Sequence, residues 1–247
     1  MTKQDFISNL QKYYLGGKVK DVRWEVVNKN LIVDFLTDDG AMLGTVNAVT
    51  DLPDEVIAVM NTDRLISLLS ALGDQIQGQY KKHKDKITGI EFTDGTTSVY
   101  FITSELKKLP DPNGKIEKYR ERGRTLTPEP TIAYEVKLDK ESVTRLLKAK
   151  KALSDAKIVV LSQGTYSVDF IVNYSERNEN KITVPFPAAI DLETELFAYN
   201  VELLCVVLSA NDGFREGSLK VAKDGLIVMK FVTEDYESTY YLKSLAI

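Results

Sequence analysis

The sequence predicts an α+β fold made of two tandem copies of one domain, each with antiparallel sheets. Three observations carry this expectation. Segments of the first half recur in the second at nearly one offset, each half runs helix, strands, helix, strands, and a proline-rich charged stretch separates them.

The recurrence begins upstream, where Phe6 to Lys12 reads against Ser142 to Lys148, with Leu10 and Lys12 meeting Leu146 and Lys148 at an offset of 136. Asp34-Phe35 closes the run from Val27, and Asp169-Phe170 closes a similar run from Leu161, at an offset of 135. Asn61 to Ala71 matches Asn200 to Ala210 at 139, sharing Asn, Leu, Leu, Ser and Ala in step. Paired segments in the same order are the mark of a duplicated unit.

The elements follow in chain order. Residues 3 to 15 place Phe6, Ile7, Leu10, Tyr13 and Tyr14 at helical spacing, and residues 139 to 154 repeat the pattern with Val143, Leu146, Leu147 and Leu153, capped by Asp139. Alternating β-branched and aromatic runs come next. They are Trp24 to Leu36 and Ala41 to Val49 about Asp38-Asp39-Gly40, and, in the other half, Ile158 to Ser162 and Tyr166 to Tyr174 about Gln163-Gly164. A second helix is expected at about 61 to 73 and 200 to 211. Strands close each half: Ile87 to Phe92 and Thr96 to Thr103 about Asp94-Gly95, then Ser218 to Val221, Leu226 to Val232 and Ser238 to Leu242 about Asp224-Gly225. Between the halves, residues 104 to 130 carry Pro110, Pro112, Pro128 and Pro130 and the charged run Lys115 to Arg124, a linker composition. The expected division is 1–108, a connector at 109–130, and 131–247.

With 247 residues, each copy has enough chain to bury a core, and 43% apolar with 28% charged residues is ordinary for a globular protein. No apolar run reaches the length needed to span a bilayer, and the first residues lack a signal-peptide core, so the expected location is the cytoplasm, that of the host cell if the source is viral. Cys205 stands alone inside the apolar run Leu203 to Leu208, where burial is expected.

Two copies of helix, strands, helix, strands joined by a long connector resemble the DNA sliding clamps. The short helix Asn61 to Gly73 and the last segment, Asn200 to Leu245, are most similar to clamps of large tailed bacteriophages, relatives of proliferating-cell nuclear antigen. The resemblance implies a homotrimeric ring with antiparallel sheets outside and helices lining the hole. It also implies a role as DNA polymerase processivity factor, with duplex DNA bound without regard to sequence, a polymerase C-terminal peptide and an ATP-dependent clamp loader as partners. Ring closure in such a clamp would pair Thr96 to Thr103 with Lys181 to Phe186 of a neighbour. Partner peptides would enter an apolar pocket formed by Leu106, Leu109 and Ile116 of the connector side with Leu245 and Ile247.

Charge provides a partly independent argument. The chain is acidic, at −4, so a polyanion would be repelled unless cations were concentrated along its path. From Asp139 to Lys157 six basic residues stand against three acidic, while from Ala188 to Ile247 five basic stand against ten acidic. Lys140, Arg145, Lys148 and Lys151 are therefore the expected DNA contacts, with Lys12 and Arg64 weaker ones on the other helices. An ordinary solvated helix face is the competing reading. No base-reading helix stands out, so contact is expected with phosphates.

Signals for catalysis are few. The one histidine, His83, lies among Lys81, Lys82, Lys84 and Lys86, a composition of solvated loops. Gly16-Gly17-Lys18 lacks the first glycine and the Ser or Thr of a phosphate loop, and reads as a turn after a helix. Asp38-Asp39 reads as hairpin chemistry and Glu193 with Glu195 as a polar connection. No enzyme activity, cofactor or metal is expected. A nucleic-acid-binding or scaffold module without a ring is the alternative, and a carboxylate-dependent metalloenzyme a more distant one. Arg120, Arg122 and Arg124 fit either solubilisers or a partner contact.

Overall fold

In the computed structural model of the chain, residues 1–84, 86–175, 180–188 and 196–245 are described. The chain divides into two compact units, Met1–Thr125 with Glu234–Ser238, and Leu126–Thr233 with Thr239–Ile247.

Unit 1 opens with α1 (Lys3–Tyr14), whose first turn is capped by Thr2 Oγ1 accepting the Asp5 amide at 3.1 Å. The helix ends where Leu15, Gly16 and Gly17 take positive φ, so the glycine pair does serve as a stop. There follow β1 (Val22–Val27), β2 (Asn30–Leu36), β3 (Met42–Val49) and β4 (Glu55–Val59), in the spatial order β4-β1-β2-β3 with antiparallel pairing throughout. The stretch Trp24 to Leu36 is thus a hairpin. Asn28 and Lys29 both adopt positive φ, the left-handed pair a two-residue turn requires.

After α2 (Thr62–Leu69), the strands β5 (Gln77–His83), β6 (Lys86–Thr93) and β7 (Ser98–Ile102) form a three-stranded sheet in that order. The core joins both halves of the unit. Phe6 packs edge-on to Trp24 at 5.8 Å and against Phe92 at 5.5 Å, while Trp24 Nε1 donates to the Tyr13 hydroxyl at 3.2 Å.

The residues expected to form a plain linker continue unit 1 as far as Thr125 and contain α3 (Lys115–Glu121). Their sequence has only Ile116 and Tyr119 as an apolar turn, too little to sustain an isolated helix. Tertiary bonds supply the rest. Asp111 accepts the amides of Ile116 and Glu117 at 2.8 and 3.1 Å, and Tyr119 is buried.

Unit 2 repeats the plan. β8 (Ile132–Lys137) leads to α4 (Lys140–Ala152), capped by Asp139, whose Oδ1 accepts the Ser142 amide at 2.8 Å. β9 (Ile158–Gln163), β10 (Ser167–Val172), β11 (Ile182–Pro187) and β12 (Phe197–Asn200) take the order β11-β10-β9-β12, the same as β3-β2-β1-β4. α5 (Val201–Ala210) follows, then β13 (Glu216–Ala222), β14 (Ile227–Val232) and β15 (Tyr236–Leu242), with β8 pairing along β13. The counterpart of β8 in unit 1 is reduced to one bridge, Thr2 to Gln75. Phe170 and Phe186, 4.3 Å apart, stand at the centre with Leu146, Leu204 and Phe231. Cys205 is buried there, and burial raises its thiol pKa to about 12.

Candidate functional site

Three surfaces carry the residues singled out in the sequence. The first is α4. Val143, Leu146 and Ala149 are buried, which turns Lys140, Thr144, Lys148 and Lys151 outward. At about 100° per residue these four fall within an arc of about 80°, so the three lysines form one stripe. They make no ion pair among the described residues. Arg145 lies beside the stripe and is half exposed, with Nη1 3.5 Å from Glu141 Oε1 and Nη2 donating to Ser142 Oγ at 3.2 Å.

The other helices contribute less. Arg64 is exposed on α2. α5 buries most of its length and exposes Glu202 and Ser209. Lys12 departs from expectation: it is only 2% exposed. Its Nζ donates to Ser8 O and Ser8 Oγ at 3.2 and 3.0 Å and sits 4.0 Å from the centroid of Tyr236, whose segment packs with unit 1. A cation held over an aromatic ring inside the structure is not offered to a phosphate, so the DNA-facing role expected of Lys12 is corrected.

The second surface is the outer face of β1, β2 and β3, over which α3 lies. Asp34, 3% exposed, accepts Thr45 Oγ1 at 2.8 Å, Arg124 Nε at 3.0 Å and Arg120 Nε at 3.1 Å, and Arg124 Nη2 reaches Glu25 at 3.1 Å. Tyr119 OH adds a bond to Thr45 Oγ1 at 3.1 Å. Two of the three connector arginines are therefore clasps on a buried carboxylate. Beside them lies a cavity of about 420 Å³ lined by Leu106, Leu109, Pro110 and Ile116 on one side and by Val22, Arg23 and Asp34 on the other. Arg23 Nε is buried there without a hydrogen-bond partner among the described residues. Leu106, Leu109 and Ile116 are thus brought together. Leu245 belongs to unit 2, where its amide donates to the Ala198 carbonyl at 2.8 Å, and Ile247 lies outside the described residues.

The third surface comprises two strand edges. Among the described residues, β7 ends its sheet beyond β6, and β11 ends its sheet beyond β10. In an antiparallel ladder, bonded and non-bonded pairs alternate. Thr103 donates to Thr88 and Asp94 to Thr97, each at 3.1 Å, which assigns Val99 and Phe101 to the bonded set. Ser98, Tyr100 and Ile102 consequently turn their amides and carbonyls outward. The hairpin behind them is tied down by Asp94, whose carboxylate accepts the amides of Thr97, Gly73 and Thr96 at 2.7, 2.6 and 2.8 Å, bonds that lower its pKa to about 2.

Asp39 accepts Thr37 Oγ1 and the Ala41 amide as a turn carboxylate, and Glu193 and Glu195 lie outside the described residues. Among the described residues, no three His, Cys, Asp or Glu side chains are grouped as a metal site, and no helix is long and apolar enough to cross a membrane.

Two copies of a helix, a four-stranded sheet, a second helix and a further hairpin sheet constitute the sliding-clamp fold. Solved structures place the chain within it: it has the fold of proliferating cellular nuclear antigen (PCNA) along its whole length. The chain is similar to that protein from Entamoeba histolytica, with TM-score 0.73, 11% identity, and 100% of this chain and 97% of that one covered. It is similar to PCNA from Thermococcus kodakaraensis, with TM-score 0.71, 14% identity and coverage of 99% and 98%. A. fulgidus PCNA, solved with the C-terminal region of FEN-1 bound, gives TM-score 0.71, 12% identity and coverage of 100% and 97%. No protein-family model matches the chain, and no curated protein matches it in sequence.

Proposed function

We propose that the protein is a sliding clamp, a homotrimeric ring that encircles duplex DNA and tethers a replicative polymerase as its processivity factor. The full-length likeness to three PCNA structures carries this reading. The narrower kinship with phage clamps rests on the sequence pattern alone.

The mechanism is topological. A closed ring stays on DNA without tight binding, and a few phosphate contacts, weak and blind to sequence, let it slide. The stripe of Lys140, Lys148 and Lys151, with Arg145 and Arg64, suits that role. The tether keeps the polymerase at high effective concentration, so a dissociated enzyme rebinds before it diffuses away. The cavity bordered by Leu106, Leu109 and Ile116 suits the hydrophobic anchors of the polymerase's C-terminal peptide. Loading a closed ring onto DNA requires a separate ATP-driven loader. The copies would meet by adding β7 of one to β11 of the next, a head-to-tail arrangement that can close on itself.

The test combines sedimentation velocity with duplex binding across a salt series, using Lys140→Glu/Lys148→Glu/Lys151→Glu beside the wild type. The expected result is a trimer in both proteins and a weaker, less salt-dependent affinity in the variant, the slope of log K against log salt falling by about 0.9 for each phosphate the protein ceases to neutralise. A monomer at every concentration, with unaltered DNA binding in the variant, would refute the ring and its channel together.

A further inference from the structure

In unit 1 the outer edge of β4 is covered at one residue only among the described residues, where the Ser104 amide donates to the Ala58 carbonyl at 3.0 Å. That bond assigns the parity of the strand. Residues alternate along an antiparallel ladder, so Ala58 and Val56, opposite Arg23 and Glu25 of β1, turn their amides and carbonyls away from β1. A chain running straight on from Ser104 would cover Val56 as well. Instead it leaves in a 3-10 turn at Leu106–Lys108, and a cleft of about 380 Å³ opens there, lined by Val56 and Ala58, by Ile87 of β6, and by Ser104 and Leu106. The Val56 amide meets only its neighbour's carboxylate, Glu55 Oε1, at 3.4 Å.

Lysines gather at the same place. Lys86 and Lys107 line the cleft, Lys82, Lys84 and Lys108 lie next to these in the chain, and all five are exposed. Lys107 Nζ bonds Glu105 at 2.8 Å and, with Lys108 and Lys86, holds that carboxylate below its usual range. Lys82 Nζ bonds Glu55 Oε2 at 3.2 Å. Asp54 is the third described carboxylate of the group, and Asp85 lies outside the described residues. Lys84, Lys86 and Lys108 have no ion pair among the described residues, so cations exceed their partners around an open strand edge.

We propose that this cleft takes an extended acidic segment of a partner protein, added to β4 as a short strand opposite Val56, with its carboxylates toward Lys86, Lys107 and Lys108. Backbone pairing supplies affinity and the lysines select the side chains. A nucleic acid would meet the lysines but has no peptide groups to pair with Val56, so the strand edge favours a peptide. Glu55 covers the Val56 amide in the free chain and gives way to the incoming carbonyl. The site belongs to a single chain and is independent of ring formation.

The test is fluorescence anisotropy of a labelled, end-capped Glu-Val-Glu-Val-Glu-Val peptide titrated with the full chain. Its companions are a Lys-Val-Lys-Val-Lys-Val peptide, the acidic peptide N-methylated at alternate residues, and a single-stranded DNA dodecamer. The acidic peptide is expected to bind. Lys86→Ala/Lys107→Ala should weaken it by about two- to fivefold for each lysine removed, and Glu55→Ala, which frees the Val56 amide and Lys82, should tighten it by about three- to tenfold. N-methylation on the face that meets Val56 should cost a similar factor, with no change to the protein's own folding. No binding of the acidic peptide at millimolar protein would overturn the proposal. Binding that ignores both N-methylation and Glu55→Ala, or a DNA dodecamer held as tightly and lost in the same lysine variant, would overturn it too, leaving a plain charged patch; either result leaves the ring reading untouched.

Discussion

Replacing Asp34 by Asn removes one negative charge from beneath the connector while keeping the side chain's volume. Asp34 is 2% exposed in its side chain and faces Arg120 and Arg124, which are 15% and 28% exposed. Each charge-assisted bond removed is worth about 1.5–3 kcal/mol, and breaking a buried pair from one side costs about 3–5 kcal/mol. Both arginines retain a second partner, Glu117 for Arg120 and Glu25 for Arg124, and both reach solvent, so the lower part of that range applies, about 3 kcal/mol. For a unit of this size each kcal/mol moves Tm by about 4 °C, which predicts a fall of about 12 °C in the transition of unit 1. The duplicated carboxylate supplies the reference: Asp169 accepts from Ser167 Oγ, a neutral donor, and Asp169→Asn is expected to cost about 1 kcal/mol. Scanning calorimetry measures both, and trypsin reports the connector through cleavage after Lys115, Lys118 and Arg122, expected to quicken only in Asp34→Asn. A Tm within about 2 °C of wild type with unchanged cleavage would show that the arginines do not fasten the connector.

Two further outcomes are expected. Asp94 has its pKa lowered to about 2 by amides that bond its ionised form, so its contribution to stability is fully present above its ordinary value near 3.8 and is lost as pH falls through about 2. Carbon-detected NMR should find its carboxyl titrating near 2, and a midpoint near 4 would contradict the amide cradle. Cys205, buried and with its pKa raised to about 12, should resist a disulfide reagent such as dithiobis-nitrobenzoate at pH 8 until the protein unfolds, and prompt labelling of native protein would contradict its packing.

The duplication was legible because it is written in apolar spacing. Leu10 and Leu146 are both buried on the first helix of their units, and Asp34 and Asp169 occupy equivalent strands. The capping role of Asp139 was legible for the same local reason. Features that depend on distant partners were not. The burial of Lys12 requires Tyr236, more than two hundred residues away, and α3 draws its stability from Asp111 and Asp34 more than from its own sequence. Strand parity was hidden as well: only the register reveals that Val99 bonds inward to β6 while Ile102 turns its amide to the open edge. Leu106, Leu109 and Ile116 came from resemblance rather than spacing, and the structure sets all three around one cavity.

The two copies have ceased to be interchangeable at one position that both retain. Asp34 holds two guanidiniums and, through them, a helix laid across its sheet, whereas Asp169 in the equivalent strand is bonded by a serine two residues away. A ligand that reads the connector-covered face therefore meets it on one copy and finds a different surface on the other. The stoichiometry of such a ligand follows the number of chains in an assembly and not the number of domain copies, so a body with doubled architecture keeps a single address per chain.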